Sequence, residues 1–117
     1  MHVVLVVEDE PLIRLAAVDI VLSAGFEALE AGNADEAIHI LEHRPDIRLV
    51  FTDIEMPGTM DGLKLAHYVK GRWPPIKIIV ASGKGILAES ELPDGSRFFG
   101  KPYHHPMIAA AIASMIS

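Results

Sequence analysis

Short, nearly unbroken apolar runs, separated by segments of helical spacing, constrain this chain more than any other feature. Val3 to Val7, Ile47 to Thr52 and Ile76 to Ala81 are rich in Val and Ile. They lack the polar alternation of a strand with one wet face, so they read as strands of a parallel sheet covered on both sides. Phe26 to Glu30 and the shorter Arg97 to Phe99 bring the set to five. Between the first two, Ile13, Ala16, Ala17, Ile20 and Val21 follow the i, i+3, i+4, i+7, i+8 rule, with Pro11 at the start and Gly25 past the end. Ala34, Ala37, Ile38 and Leu41 repeat the pattern behind Asn33 and Glu36, which read as a capping box. Leu63, Ala66 and Val69 predict a third helix after Asp61, stopped by Gly71 and Pro74-Pro75. Ile108, Ala111, Ile112, Met115 and Ile116 predict the last, opened by Pro106.

The stretch from Gly83 to Gly95 has the poorest helical sequence. Ile86-Leu87-Ala88 offers a short helix, but two early glycines and Pro93-Asp94-Gly95 leave it little length. Strand alternating with helix predicts right-handed βαβ crossovers. The fold class is therefore α/β, a doubly wound five-stranded parallel sheet with helices on both faces and the fourth helix short or irregular. No linker, repeat or low-complexity tract interrupts the 117 residues, so one domain is expected over 1–117.

Charge and cysteine content narrow the function classes. A net charge of -6 argues against direct nucleic-acid binding and against an anionic membrane surface. The absence of cysteine removes disulfide, thiolate and Cys-ligated zinc chemistry and fits a reducing cytosol. The N-terminus is apolar but has no basic leader or small-residue cleavage site, and it runs into Glu8-Asp9-Glu10, so it reads as a strand rather than a signal peptide. No apolar run approaches the roughly 20 residues of a membrane span. A soluble, cytoplasmic domain is the expectation.

In such sheets ligands bind outside the carboxyl ends of the strands. The residues that follow the apolar runs are Glu8, Asp9 and Glu10, then Asp53, Ser82 and Lys101. Packed carboxylates repel one another unless a cation joins them. An all-oxygen set suits a hard divalent ion, magnesium first and manganese second. Lys101 would add a positive point charge and Ser82 a donor, together suited to gripping phosphoryl oxygens. One carboxylate of such a site can act as the nucleophile and form an aspartyl phosphate.

These segments resemble the receiver domains of bacterial two-component response regulators along the whole chain. Val6-Val7-Glu8-Asp9-Glu10-Pro11 is similar to the family's acidic turn, and Thr52-Asp53-Ile54-Glu55-Met56-Pro57-Gly58 to its phosphoacceptor segment. Met60-Asp61-Gly62 matches the start of its third helix, Ala81-Ser82-Gly83 its Ser/Thr position, and Phe98-Phe99-Gly100-Lys101-Pro102-Tyr103 its Lys-Pro element. The resemblance implies a flavodoxin-like phosphorelay switch that catalyses its own phosphorylation and dephosphorylation rather than a turnover enzyme. Asp53 would be the phosphoacceptor. Asp9 and Asp53 would ligate Mg2+ directly, Glu8 through water, and Glu55 by its backbone carbonyl. Ser82 and Lys101 would hold the phosphoryl oxygens, and Phe98 occupies the place of the aromatic switch. The implied partners are a sensor histidine kinase or histidine phosphotransfer protein and a downstream protein target, with the chain a monomer or weak homodimer. Read as a stand-alone receiver or as part of a longer protein, it would pass its signal on through protein contact.

Two departures from the family pattern carry expectations of their own. The interval from Ser82 to Lys101 is short, so the usual partner face there is altered. Phe98 stands where tyrosine is common, which leaves a packing switch without a hydroxyl. Glu55 and Lys84 flank the path of attacking water and are expected to influence phosphoryl lifetime.

Each residue also has a plainer reading. An isolated Glu8-Asp9-Glu10 is most often a solvated turn capping the next helix. Asp53 alone reads as a loop residue, Ser82 as a turn serine, Lys101 as a surface lysine and Phe98 as a core aromatic; it is their occurrence together that favours function. Ser82-Gly83-Lys84-Gly85 lacks the spacing of a phosphate-binding loop. His39 and His43 stand at i, i+4 without a third ligand in view and read as surface histidines. His104-His105 has at most a modulatory place near Lys101, and Trp73 should pack over the end of the third helix. The rival functions are an unphosphorylated receiver-like interaction module and an aspartate-nucleophile hydrolase, which would place Asp-x-Asp after the first strand.

Overall fold

The computed structural model describes residues 2–83 and 89–117. Five strands, β1 (Val3–Val7), β2 (Glu27–Ala31), β3 (Ile47–Asp53), β4 (Lys77–Ser82) and β5 (Arg97–Gly100), form one parallel sheet in the order β2-β1-β3-β4-β5. Four helices connect or follow them: α1 (Pro11–Ser23), α2 (Ala34–His43), α3 (Gly62–Arg72) and α4 (His105–Ile116).

The apolar runs lack polar alternation because both faces of the sheet are covered. On one face Val4, Val6, Leu49, Phe51 and Ile79 meet Ile20 and Val21 of α1 and Ile108 and Ile112 of α4. On the other, Val3, Leu5, Val7, Val50, Ile78 and Val80 meet Ala37 and Leu41 of α2 and Leu65 and Val69 of α3. Full burial of such a side chain stabilises the fold by about 1.5–3 kcal/mol. Truncating the fully buried Leu5 to Ala would cost about 2–5 kcal/mol.

The helix boundaries follow their chemistry. Asn33 accepts from the Glu36 amide at 2.8 Å to start α2, and Asp61 accepts from the Lys64 amide at 2.9 Å to start α3. Gly25 takes φ +92° just beyond α1, a conformation that side chains with a Cβ resist. Several predicted boundaries move by a residue: the fourth strand runs Lys77–Ser82 rather than Ile76 to Ala81, and the third and fifth extend to Asp53 and Gly100. Two shifts show their cause. The second strand runs from Glu27 to Ala31 rather than from Phe26 to Glu30, because its parallel register with β1 opens at Glu27 opposite Val3. Phe26 instead packs half-buried against the cluster beneath α1 and α4. Gly71 does not stop the third helix, which continues to Arg72. It ends where Trp73 precedes Pro74, since the residue before a proline disfavours helical geometry. Trp73 closes the helix as expected, donating its amide to Val69 O at 2.7 Å with the Arg72 guanidinium stacked over its ring.

Between β4 and β5 the described residues hold only a single 3₁₀ turn, Glu89–Glu91, to which the His67 ring of α3 reaches at 2.7 Å from the Glu91 carbonyl. Lys84 and the Ile86-Leu87-Ala88 segment lie outside the described residues.

Candidate functional site

The strand order makes β1 and β3 neighbours whose chains leave in opposite directions, β1 into α1 on one face and β3 into α3 on the other. That divergence opens a crevice at their carboxyl ends. Glu8 and Asp9 follow β1 at this crevice, Asp53 ends β3, Ser82 ends β4, and Lys101 follows β5.

Local bonds fix the acidic turn. The Glu8 amide donates to Ala31 O at 3.0 Å, and Arg14 of α1 donates to the Glu8 carbonyl at 2.9 Å. Glu8 accepts in turn from the Glu10 amide at 3.0 Å. Glu10 itself is exposed and does the plain work of capping α1 through the Leu12 amide. The acidic triplet thus divides: Glu8 and Asp9 belong to the crevice and Glu10 to the helix.

Ligand-capable oxygens of Glu8, Asp9 and Asp53 all lie within 4.8 Å of one another. Among the described residues this is the one such group of three that could hold a metal ion. Glu8 and Asp53 are 4% and 7% exposed, so two of these carboxylates sit almost out of water. Lys101 Nζ answers them at 3.0 Å from Asp53 Oδ2 and 3.2 Å from Glu8 Oε1. Among the described residues, one ammonium against three carboxylates leaves the cluster short of positive charge. Accordingly, burial together with the Asp53 charge pushes the Glu8 carboxyl up to about 7, outweighing the opposing pull of the Glu10 amide and of Lys101. Partial burial works to lower the Lys101 pKa, but Asp53 and then Glu8 outweigh it and hold the ammonium above its ordinary range. Asp53 Oδ1 is buried and has no hydrogen-bond partner among the described residues. A buried carboxylate oxygen left bare costs free energy unless something else coordinates it. The donor set is all oxygen and over-rich in negative charge, which fits a hard divalent cation.

Ser82 is buried and shares its strand end with Asp53 through the Asp53–Ala81 register and the Ile54 amide, which donates to Ala81 O at 2.9 Å. The Lys101 amide donates to Ser82 O at 2.9 Å, tying the ends of β4 and β5 together. Phe98 lies two residues inside the Ser82–Gly100 pair, opposite Val80, half-buried against the cluster beneath α3. For Glu55 the sequence implies a backbone-carbonyl ligand and a place beside the path of attacking water, but not the bonds its side chain makes. Its carboxylate reaches across to β4 and accepts from Ser82 Oγ at 2.6 Å and from the Gly83 amide at 3.0 Å.

Other contributors were not singled out from the sequence. Arg14 positions the acidic turn, as described. Thr52 Oγ1 donates to Asp53 O at 2.9 Å. Gly62 packs directly on the backbone of Asp53, where a Cβ would overlap the Asp53 carbonyl oxygen and come within 2.8 Å of Ile54 Cα. A glycine straight after a helix-capping aspartate was the available signal for that close approach. His39 and His43 lie exposed on α2 with ring centroids 4.5 Å apart and join no group of three potential ligands among the described residues. No helix of the described residues is long and apolar enough to cross a membrane.

Comparison with known proteins agrees with this geometry. The family model described as the response regulator receiver domain matches residues 4–113. The transcriptional regulatory protein PdtaR of Mycobacterium tuberculosis is 33% identical over 118 residues, covering 97% of this chain and 56% of PdtaR. The chain spans smaller shares still of other curated relatives, 18% of a putative NtrX-like response regulator of Rickettsia bellii among them. Among solved structures, the receiver domain of NtrX from Brucella abortus is 32% identical with a TM-score of 0.87, covering 97% of each chain. The response regulator TrrA of Thermotoga maritima, solved in complex with Mg2+-BeF, is 26% identical with a TM-score of 0.83, covering 98% of this chain and 99% of that one. A family-model match over residues 4–113, joined to relatives 33% and 32% identical across nearly the whole chain, shows that this chain belongs to the response regulator receiver domain family.

Proposed function

We propose that the chain accepts a phosphoryl group on Asp53 from a phosphohistidine of a sensor kinase or phosphotransfer protein, and that the modified state presents a changed surface to a downstream protein. One observation carries the reading: Asp53 is buried with Oδ1 lacking a hydrogen-bond partner among the described residues, Lys101 is paired with its Oδ2, and the carboxylates of Glu8 and Asp9 gather around it. An Asp53 carboxylate oxygen attacks phosphorus, the P–N bond to the donor imidazole breaks, and the imidazole nitrogen leaves with that electron pair and takes up a proton. Lys101, already paired with Asp53, neutralises charge on the transferring oxygens, and Ser82 supplies a donor. Asp9 and Asp53 directly, Glu8 through water and the Glu55 carbonyl would hold Mg2+, or Mn2+ in its place, which when bound screens the carboxylates and polarises the phosphoryl oxygens. The chain's own groups thus catalyse the transfer and, with water as the later acceptor, hydrolysis of the aspartyl phosphate back to the Asp53 carboxylate and inorganic phosphate.

The donor must bring its histidine to the crevice. Beside it, Leu12 and Ile13 of α1 meet Lys101, Pro102 and Tyr103 in an open groove of about 470 Å³. Leu12 and Leu15 are 76% and 61% exposed, an apolar helix face next to the acceptor that suits a helical donor protein. Once Asp53 is modified, its added charge and acceptor oxygens draw on Ser82, and Phe98 repacks on β5.

Incubation with acetyl phosphate and Mg2+, followed by intact mass, tests the reading. One phosphoryl adduct is expected on the wild type and none on Asp53→Asn. No adduct on the wild type would leave an unphosphorylated interaction module. Turnover of added phosphate esters without an adduct would indicate a hydrolase.

A further inference from the structure

We infer that the Glu55 carboxylate is a built-in competitor of the phosphoryl group, holding in the resting protein the two donors at the end of β4 that an anion on Asp53 must use. The inference rests on Asp53 being the acceptor. Ser82 Oγ donates to one Glu55 oxygen at 2.6 Å, and the Gly83 amide donates to the other at 3.0 Å. The first is the length of a charge-assisted O–H···O⁻ bond, stronger than a neutral one. The Ser82 hydroxyl carries a single proton, so while it donates to Glu55 it cannot also donate to an anion on Asp53. Asp53 sits in register with Ala81, the residue before Ser82.

A carboxylate and one edge of a phosphoryl group present the same chemistry, two anionic oxygens side by side. In the resting protein Glu55 satisfies donors that the phosphorylated protein needs. A phosphoryl group, carrying about −1.5 to −2 charge, also meets the Glu55 charge as a repulsive neighbour. The two anions therefore exclude one another, and Glu55 must release Ser82 and Gly83 before the modified state can form. Because Glu55 bonds those donors only in the resting state, its contacts lower the population of the modified one. Glu55 is in this sense a positioning residue that acts through Ser82 and Gly83. A residue that merely braced the β4 end would leave anion affinity unchanged, or weaken it on removal.

Beryllofluoride, a non-covalent stand-in for the phosphoryl group, separates these cases. Its affinity is measured on the whole chain by calorimetry at Mg2+ saturating for each variant, so that any change in metal binding drops out. Glu55→Ala is expected to bind about tenfold more tightly than wild type, the equivalent of losing one competing hydrogen bond to a charged group. Glu55→Gln, equal in size but uncharged, should gain about threefold. The gain from Glu55→Ala should shrink in a Ser82→Ala background, as coupling through the shared hydroxyl requires. At fixed acetyl phosphate the phosphorylated fraction should rise in the same order. Equal or weaker binding by both Glu55 variants, with the wild type binding normally, overturns the inference and leaves the acceptor reading intact. Failure of the wild type and both variants to bind beryllofluoride overturns both. If Glu55→Ala does not fold, the isosteric Glu55→Gln decides.

Discussion

The two ends of the sheet handle charge in opposite ways. At the amino end, Arg44 is paired with Asp46 at 2.7 Å and with Glu27 at 3.5 Å, and Arg72 with Glu42 at 3.1 Å. These side chains are all between about a third and a half exposed, and each cation has its counter-charge. At the carboxyl end, three carboxylates, Glu8, Asp9 and Asp53, crowd together; among the described residues Lys101 alone pairs with Glu8 and Asp53, both buried, and Asp53 Oδ1 has no hydrogen-bond partner. Matched charge at a wet surface contributes little to stability and asks nothing of a ligand. Mismatched charge in a half-dry crevice is a standing cost that a ligand can remove, which is why the contrast locates function.

Four measurements can break or sharpen that contrast. The largest effect is expected from Gly62→Ala, because the new methyl must push against the Asp53 backbone and not against a yielding side chain. A loss of about 3 kcal/mol in denaturant unfolding is expected, at the upper end of what overpacking costs. A loss below 1 kcal/mol would show that the carboxyl end is not tightly built. Next, Mg2+ at a hundredfold excess over its dissociation constant should stabilise the wild type by about 2.7 kcal/mol. The same addition should do nothing for Asp9→Asn/Asp53→Asn, and equal stabilisation of both would remove the metal from the crevice. Smaller is the expected gain from Asp53→Asn alone in metal-free buffer. Relief of carboxylate repulsion should outweigh the lost Lys101 pair and raise stability by about 1 kcal/mol; a decrease would mean that the cluster is not strained. Smallest, Asp46→Asn at the other end should leave the unfolding midpoint within measurement error, since its pair with Arg44 lies in water. A clear drop there would erase the distinction between the two ends.

Much of this was legible in the chain. Val3 to Val7 and Ile47 to Thr52 could only be strands of a doubly covered sheet, and Asn33 and Asp61 marked helix starts that their side-chain bonds make. The candidate site residues Glu8, Asp9, Asp53, Ser82 and Lys101 could be picked out because each follows an apolar run, and runs that end at one edge of a parallel sheet bring their followers together. Not legible were contacts that depend on how neighbouring strands and helices approach. Arg14 reads as an ordinary polar position on α1, yet it holds the Glu8 carbonyl. The end of the second strand was misplaced by one residue because register is a property of the pair, not of either strand.

Hydrophobic period and turn chemistry are local, so the order of elements, the class of sheet and the edge where charge collects were set by the sequence alone. Distance between residues far apart in the chain is not local. Only the packed fold could bring Glu55 onto Ser82, 27 positions away, or place Lys101, 93 positions from Glu8, within 3.2 Å of it. Those separations decide which donors are already spoken for and which buried oxygen is left bare, because burial and hydrogen bonding are settled among neighbours in space.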